Sequence, residues 1–233
     1  MSTTTTSHSD AVAKTPRGGL DVARLSNRFG VAFAVCQITV LVMFSIFVLP
    51  KGGSPTDPVL ERGRHILDAH TFYVVGNYGL ALSGMLILGF LGAVAMQLRR
   101  ADSTGVLASV AVAAGSLLAL IWPLAAVIHD VFLGIADTGA DLRILAGADA
   151  IAPYSLALSV FPRVFFLGAV VLGLRSAGSS PMLQRTGAVI AVLSLLGSGT
   201  VVVGALFPLL ALATLGFEVW VGALAWHWLR ERR

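Results

Sequence analysis

The sequence predicts an all-α, polytopic membrane protein, built as a compact bundle of six transmembrane helices. Of its 233 residues, 56% are hydrophobic and only 12% are charged. The mean hydropathy is +0.86, so the chain is more apolar than soluble domains usually are. Six stretches are also close to the length of about 20 apolar residues that a membrane-spanning helix needs. Too little chain remains for a separate soluble core, and we expect one transmembrane domain over residues 28–233.

The six spans follow one another with short connections. We place them at residues 28–50, 72–98, 105–128, 153–174, 186–206 and 209–229. The fifth and sixth must be separate helices, because one helix over both would be about 65 Å long, twice the hydrocarbon thickness. Phe207-Pro208 is the expected turn, since proline lacks a backbone donor and disfavours helix at the residue before it.

Residues 1–27 precede the first span and are polar, rich in Thr, Ser and Gly. This composition is typical of disorder, and we expect a disordered cytoplasmic tail. A signal peptide is the rival interpretation. The apolar run after the tail is too long for one and ends at Pro50 without a small-residue cleavage site.

The basic residues divide unequally between the two sides of the predicted bundle. One side carries Lys14, Arg17, Arg24, Arg28, Arg99, Arg100, Arg175, Arg185, Arg230, Arg232 and Arg233, and the other carries Lys51, Arg62, Arg64 and Arg143. By the positive-inside rule the first side is cytoplasmic. We therefore expect a bacterial-type cytoplasmic (inner) cell membrane with both termini inside. No basic patch interleaved with aromatic residues indicates a nucleic-acid partner.

The first outer loop contains a helix-start signal. Asp57 is a residue type that caps helices, and Pro58 suits the first helical position. We expect a short interfacial helix that leads into the second span.

Two formal charges lie deep in predicted spans. Arg163, in FPRVFF, is midway along the fourth span, and Glu218, in LGFEVWVG, is at nearly the same depth in the sixth. A bare guanidinium at that depth costs at least about 3 kcal/mol. An ion pair between the two helices compensates both charges. Ser155 and Ser159 share the Arg163 face of the fourth span at four-residue spacing, and Thr214 shares the Glu218 face of the sixth.

This pair has two interpretations. As a structural clamp it fixes the register of two helices. As a transport site, the two serines form a polar path to Arg163, and Glu218 exchanges a proton or the pair opens for an anion. Gln37 and Asn77 would then line the same cavity, although single buried amides more often hydrogen-bond a neighbouring helix.

A metal site at the outer surface is a weaker hypothesis. His70, His129 and Asp130 are residue types that bind zinc or iron and are expected near that surface. The sequence has no H-E-x-x-H motif or histidine triplet, and it has no nucleophile elbow, P-loop or dinucleotide fingerprint. We therefore expect no metal or cofactor, and an enzyme is less favoured than a non-enzymatic protein.

The C-terminal third resembles a bacterial family of six-span integral membrane proteins of unknown function. The segments concerned are FFLGAVVLGLRSAGSSPMLQRTGAVIAVLSLLGSG and LGFEVWVGALAWHWLRERR. Gly216, Glu218, Trp228 and Leu229 stand where the last helix of that family has Gly, Glu and Trp-Leu, with Phe217 inserted between Gly and Glu. The resemblance implies the six-span fold and a general importance of Glu218, but no activity.

Three functions follow from these patterns. The first is a non-enzymatic membrane component, such as an accessory or regulatory subunit. The second is a small transporter or proton-linked permease, and the third is a membrane enzyme with an outer metal site. The expected partners are the lipid bilayer and either another membrane protein or a second copy of the chain, while the sequence names no small-molecule ligand.

Overall fold

The structure, a computed structural model, describes residues 21–48, 57–136, 138–139, 141–149 and 151–231. These ranges form α-helices and short 3₁₀ turns and contain no strand. The helices are α1 (Val22–Phe47), α2 (Val59–Asp68), α3 (His70–Ala101), α4 (Val106–Ala136), α5 (Leu142–Asp149), α6 (Ile151–Leu158), α7 (Val160–Ser176), α8 (Pro181–Ser198) and α9 (Phe207–Arg230). The all-α class predicted from the sequence is confirmed.

Six of the helical segments are long and apolar enough to cross a membrane. They are α1, α3, α4, the combined segment Pro153–Ser176 from α6 and α7, the segment Pro181–Val201 around α8, and the segment Gly204–Arg230 around α9. The chain is therefore a multi-pass membrane protein. An even number of spans brings Asp21 and Glu231, the ends of the described chain, to the same end of the bundle.

The six spans pack in a closed ring that follows chain order. Each span packs against the next, from α1 through α3, α4, α7 and α8 to α9, and α9 returns to α1. The most extensive interface is between α3 and α4. Large side chains from all six spans fill its centre, among them Phe33, Phe90, Leu118, Phe166 and Phe217, each no more than 2% exposed, and α8 contributes Leu183.

The first span begins earlier than predicted. Helix α1 starts at Val22, so residues 22–27 are helical and do not belong to the expected disordered tail. The side chain of Asp21 accepts a hydrogen bond from the backbone N–H of Arg24 at 3.0 Å, which satisfies one of the free donors of the first turn. Residues 1–20 of the predicted tail lie outside the described residues.

The turn between the fifth and sixth spans also differs from the prediction. Helix α8 ends at Ser198, and two 3₁₀ turns, Gly199–Val201 and Gly204–Leu206, connect it to α9. Phe207 and Pro208 therefore start the last helix and do not form the turn before it. Proline is favoured in the first turn of a helix because its missing N–H would have no intrahelical partner there.

The described parts of the connections at the opposite end from Asp21 and Glu231 are largely helical. Helix α4 continues to Ala136, eight residues past the predicted end at Ile128, because Leu133 and Ala136 are buried in a small apolar cluster. The same cluster contains Ile66 of α2. The short helix expected after Asp57 is thus present as α2, and it starts at Val59.

Candidate functional site

Arg163 lies in the second turn of α7, just after an interruption of the fourth span. Helix α6 ends at Leu158 and α7 begins at Val160, yet backbone hydrogen bonds continue across the break, from Ser159 N–H to the Ser155 carbonyl (2.9 Å) and from Arg163 N–H to the Ser159 carbonyl (3.1 Å). The Arg163 side chain is 0% exposed. It is the largest of the fully buried side chains in the described part of the chain.

The guanidinium of Arg163 is held by two hydroxyl groups from different spans. Its Nη2 donates to Ser159 Oγ at 2.9 Å, and its Nη1 donates to Thr214 Oγ1 of α9 at 2.8 Å. Both hydroxyls donate in turn to carbonyl oxygens of their own helices, Leu156 at 2.7 Å and Leu210 at 2.8 Å. Each hydroxyl is thus free to accept from the cation.

An aromatic ring completes the environment of the cation. The guanidinium carbon lies 5.2 Å from the centroid of the Phe217 ring, within the range in which a ring face attracts a cation. Phe217 in turn meets Phe166 edge to face, with ring centroids 6.0 Å apart. Arg163 is therefore enclosed by two hydroxyls and an aromatic ring instead of by water.

Glu218 lies one turn beyond Thr214 on α9 and is 5% exposed. Although both residues are among those the structure describes, no guanidinium nitrogen of Arg163 is within the 4.0 Å of a Glu218 oxygen that defines an ion pair. The direct ion pair expected from the sequence is therefore not formed.

The direction of helical side chains explains this difference. Cα–Cβ bonds in a helix tilt toward its N-terminus. The fourth and sixth spans run parallel, so Ser159 and Thr214 share one level and Arg163 and Glu218 share the next. The long Arg163 side chain reaches back one level and meets Thr214. The spacing of Thr214 four residues before Glu218, combined with this tilt, is the signal that could have identified Thr214 as the partner.

Two polar atoms of the site remain unsatisfied. Nε of Arg163 and Oε2 of Glu218 are buried and have no hydrogen-bond partner among the described protein atoms. An unpaired buried donor or acceptor costs about 1–3 kcal/mol, and more when the group is charged. The site therefore stabilises the bundle through its bonded atoms and retains a donor and an acceptor that a proton or polar group could use.

The predicted serine path is only partly present. Ser159 contacts the guanidinium, whereas Ser155 is half-buried and contributes its backbone carbonyl to the Ser159 N–H. The structure thus brings one of the two serines to Arg163.

The two predicted amides belong to other parts of the ring. Gln37 of α1 donates to Ser83 Oγ of α3 at 2.9 Å. Asn77 of α3 donates from Nδ2 to Asp130 Oδ1 of α4 at 2.6 Å, and the same nitrogen lies 3.0 Å from Nδ1 of His129. Their hydrogen bonds join neighbouring helices and do not extend to Arg163. Both residues therefore fit the other interpretation, in which a single buried amide hydrogen-bonds to an adjacent span.

The three outer candidates for a metal site do not converge. His129 is buried beside Asn77, and its ring lies 4.8 Å from that of Tyr73. Asp130 accepts from the same amide, while His70 is the first residue of α3. Within the described ranges no three His, Cys, Asp or Glu side chains are arranged to hold a metal ion.

Comparisons with known proteins add no family or fold neighbour. The chain matches no protein-family model, and searches of curated proteins and of solved structures found no similar protein either.

Proposed function

We propose that this protein is a non-enzymatic membrane component, such as an accessory or regulatory subunit. Arg163, Ser159, Thr214, Phe217 and Glu218, here called the Arg163 cluster, then have a structural role. One observation carries this proposal. The fully buried Arg163 side chain donates to a hydroxyl of its own span and to a hydroxyl of the sixth span. These bonds connect two helices that are not neighbours in the ring.

The position of the cluster supports a clamping role. The fourth and sixth spans both pack extensively against the fifth, whereas they meet each other mainly through side chains such as Phe166 and Phe217. A long side chain that bridges them ties the two sides of α8 together and fixes the rotation of both helices. Intramembrane charge is expensive, and hydroxyl and aromatic partners inside the bundle reduce that cost without requiring a path to water.

The setting we propose is a bacterial-type cytoplasmic membrane with both termini inside. The excess of arginine and lysine on the side that holds the ends of the chain supports it. The resemblance of the C-terminal third to a bacterial six-span family of unknown function stays a prediction.

A double-mutant cycle tests the clamp. Arg163→Leu removes the bridging side chain, and Thr214→Val removes the hydroxyl on the sixth span that accepts from it. Thr214→Val should therefore cost less unfolding free energy in the Arg163→Leu background than in the wild-type protein, because the bond that it removes is then already absent. Unfolding in detergent micelles measures all four proteins.

Gln37→Leu provides the matched control, since it removes a buried polar group that bonds only to Ser83. Combined with Arg163→Leu it should show additive losses. Additive losses for Arg163→Leu and Thr214→Val would contradict the clamp.

A small transporter or proton-linked permease is the second candidate, favoured by the unsatisfied Arg163 Nε and Glu218 Oε2. This function requires Glu218 to exchange protons with water. It predicts that an apolar carbodiimide, which modifies protonated carboxyl groups, labels Glu218 in the folded wild-type protein with a pronounced pH dependence. A clamp predicts that Glu218 stays unlabelled at every pH at which the protein remains folded.

A further inference from the structure

A surface groove of about 820 Å³ lies at the end of the bundle where the chain termini are found. Helices α1, α3 and α9 line it. On α1 its lining belongs to the exposed face, with Val35 61% exposed, opposite the buried face of Phe33 and Gln37. The groove therefore opens toward the lipid and not toward the interior of the ring.

Three arginines form one end of this groove. Arg24 and Arg28 are one turn apart on α1, and Arg230 is the last residue of α9. The guanidinium of Arg230 lies 5.3 Å from the ring centroid of Trp226. No acidic residue lines the groove, and in the described part of the chain no carboxylate pairs with any of the three. Within the described ranges their positive charge therefore has no paired carboxylate.

The rest of the groove is apolar. Val31 and Val35 of α1 and Leu82 and Leu86 of α3 continue from the arginines along the helices. Arg24 to Val35 spans about 17 Å at 1.5 Å per residue. This length is close to one leaflet, half of a hydrocarbon core of about 30 Å.

We propose that this groove binds an anionic phospholipid, with its phosphate on Arg24, Arg28 and Arg230 and one acyl chain along the apolar wall. Guanidinium groups form bidentate hydrogen bonds with phosphate oxygens. Basic pockets between spans bind anionic headgroups, and tryptophan is favoured at headgroup level, where Trp226 would lie. A net negative headgroup balances the three arginines better than a zwitterionic one.

The first 20 residues of the chain are a less suitable occupant. They carry Lys14 and Arg17 against a single acidic residue, Asp10. This segment is therefore basic and would be repelled by the arginine end. A free phosphate ion would use the arginines but not the apolar wall.

Tryptophan fluorescence gives a direct test. Trp226 is 47% exposed, whereas Trp122, Trp220 and Trp228 are 7%, 3% and 3% exposed. The full-length protein is reconstituted with phosphatidylglycerol or phosphatidylcholine that carries brominated acyl chains, which quench on contact. We expect phosphatidylglycerol to quench severalfold more strongly at equal mole fraction, and Trp226→Phe to remove the difference.

The triple variant Arg24→Gln, Arg28→Gln and Arg230→Gln should lower quenching by phosphatidylglycerol to the level of phosphatidylcholine. The matched control is Arg99→Gln, Arg100→Gln and Arg175→Gln, which removes three exposed arginines at the same end but outside the groove. It should retain the preference.

Equal quenching of the wild-type protein by both lipids, or equal losses in the two triple variants, would overturn the proposal. So would full displacement of the brominated lipid by glycerol 3-phosphate, which would indicate an anion site without an acyl chain. Increased quenching by both lipids after deletion of residues 2–20 would instead identify that segment as the occupant.

Discussion

Two buried polar clusters in this protein differ in the helix pairs that they join. Asn77 connects α3 and α4, the pair with the most extensive interface in the ring, through short side chains at 2.6 and 3.0 Å. Arg163 connects α7 and α9, which are not neighbours in the ring, through a long side chain. The first cluster reinforces an existing interface, whereas the second provides a connection that backbone packing does not.

The two clusters also differ in whether their buried polar atoms are all hydrogen-bonded. In the α3–α4 pair Asn77 Nδ2 reaches both of its partners on α4. In the Arg163 cluster, which joins the spans on either side of α8, Arg163 Nε and Glu218 Oε2 remain unpaired among the described protein atoms. The α3–α4 interface should therefore respond to changes of volume, and the Arg163 cluster to changes of charge and hydrogen bonding.

After Arg163→Leu, the largest loss of unfolding free energy is expected at Gly84 of α3. A Cβ added there would overlap the backbone carbonyl of Ala119 and the ring of Pro123 on α4. Gly84→Ala should therefore cost about 1–3 kcal/mol of unfolding free energy through overpacking. Gly168 of α7 has open space at its Cβ position, and Gly168→Ala should be neutral or stabilising by about 0.5–1 kcal/mol. Unfolding in detergent measures both, and equal losses would contradict the contrast in packing.

Asn77→Leu tests the polar contribution to the same interface. The substitution keeps the branched shape of the side chain but removes the donor to Asp130 and the bond to buried His129. We expect a loss of about 1–2 kcal/mol, since His129 Nδ1 loses that partner inside the bundle. Thermal unfolding of the purified protein provides the measurement, and unchanged stability would show that helix packing alone holds α3 to α4.

Thr214→Val removes one hydroxyl from the Arg163 cluster at constant shape. Interhelical hydrogen bonds in membranes contribute about 0.6 kcal/mol on average and up to about 1.7 kcal/mol. We expect a loss near the upper value, because the donor is a cation. Thr186→Val is the matched control, since Thr186 bonds only within α8, to the carbonyls of Met182 and Leu183. Equal losses in the two variants would mean that Thr214 does not hold Arg163.

The smallest effect concerns Asp102, in the connection between α3 and α4. The Thr104 hydroxyl donates to its carboxylate at 2.6 Å and the Leu107 N–H at 3.1 Å, and these bonds lower the pKa of Asp102 below its ordinary value. A lowered folded pKa stabilises the protein above the unfolded pKa of about 3.9 and loses that contribution as the pH falls through the folded value.

Melting temperatures measured from pH about 6 down to about 3 should therefore fall slightly more for the wild-type protein than for Asp102→Asn, which cannot titrate. Parallel curves for the two proteins would show that this carboxylate does not contribute to the α3–α4 connection.

Local properties of the chain were enough to predict the number of spans and their approximate positions. An apolar run of sufficient length forms a helix in lipid whatever surrounds it, because its backbone polar groups must be satisfied internally. The depth of Arg163 and Glu218 follows from their positions along these apolar runs. The ends of the helices are less predictable. Helix α4 continues to Ala136 because its last turn is buried in the apolar cluster that includes Ile66 and Leu133.

The order of residues is enough to place an arginine and a glutamate at the same depth in the fourth and sixth spans. The hydrogen bonds of Arg163 to Ser159 and Thr214, and the places of Gln37 and Asn77 in other helix pairs, follow only from the packing of the bundle. Depth in the membrane depends on position along one helix. The choice of partner depends on the rotation, separation and side-chain tilt of two helices, which are set by the packing of all six.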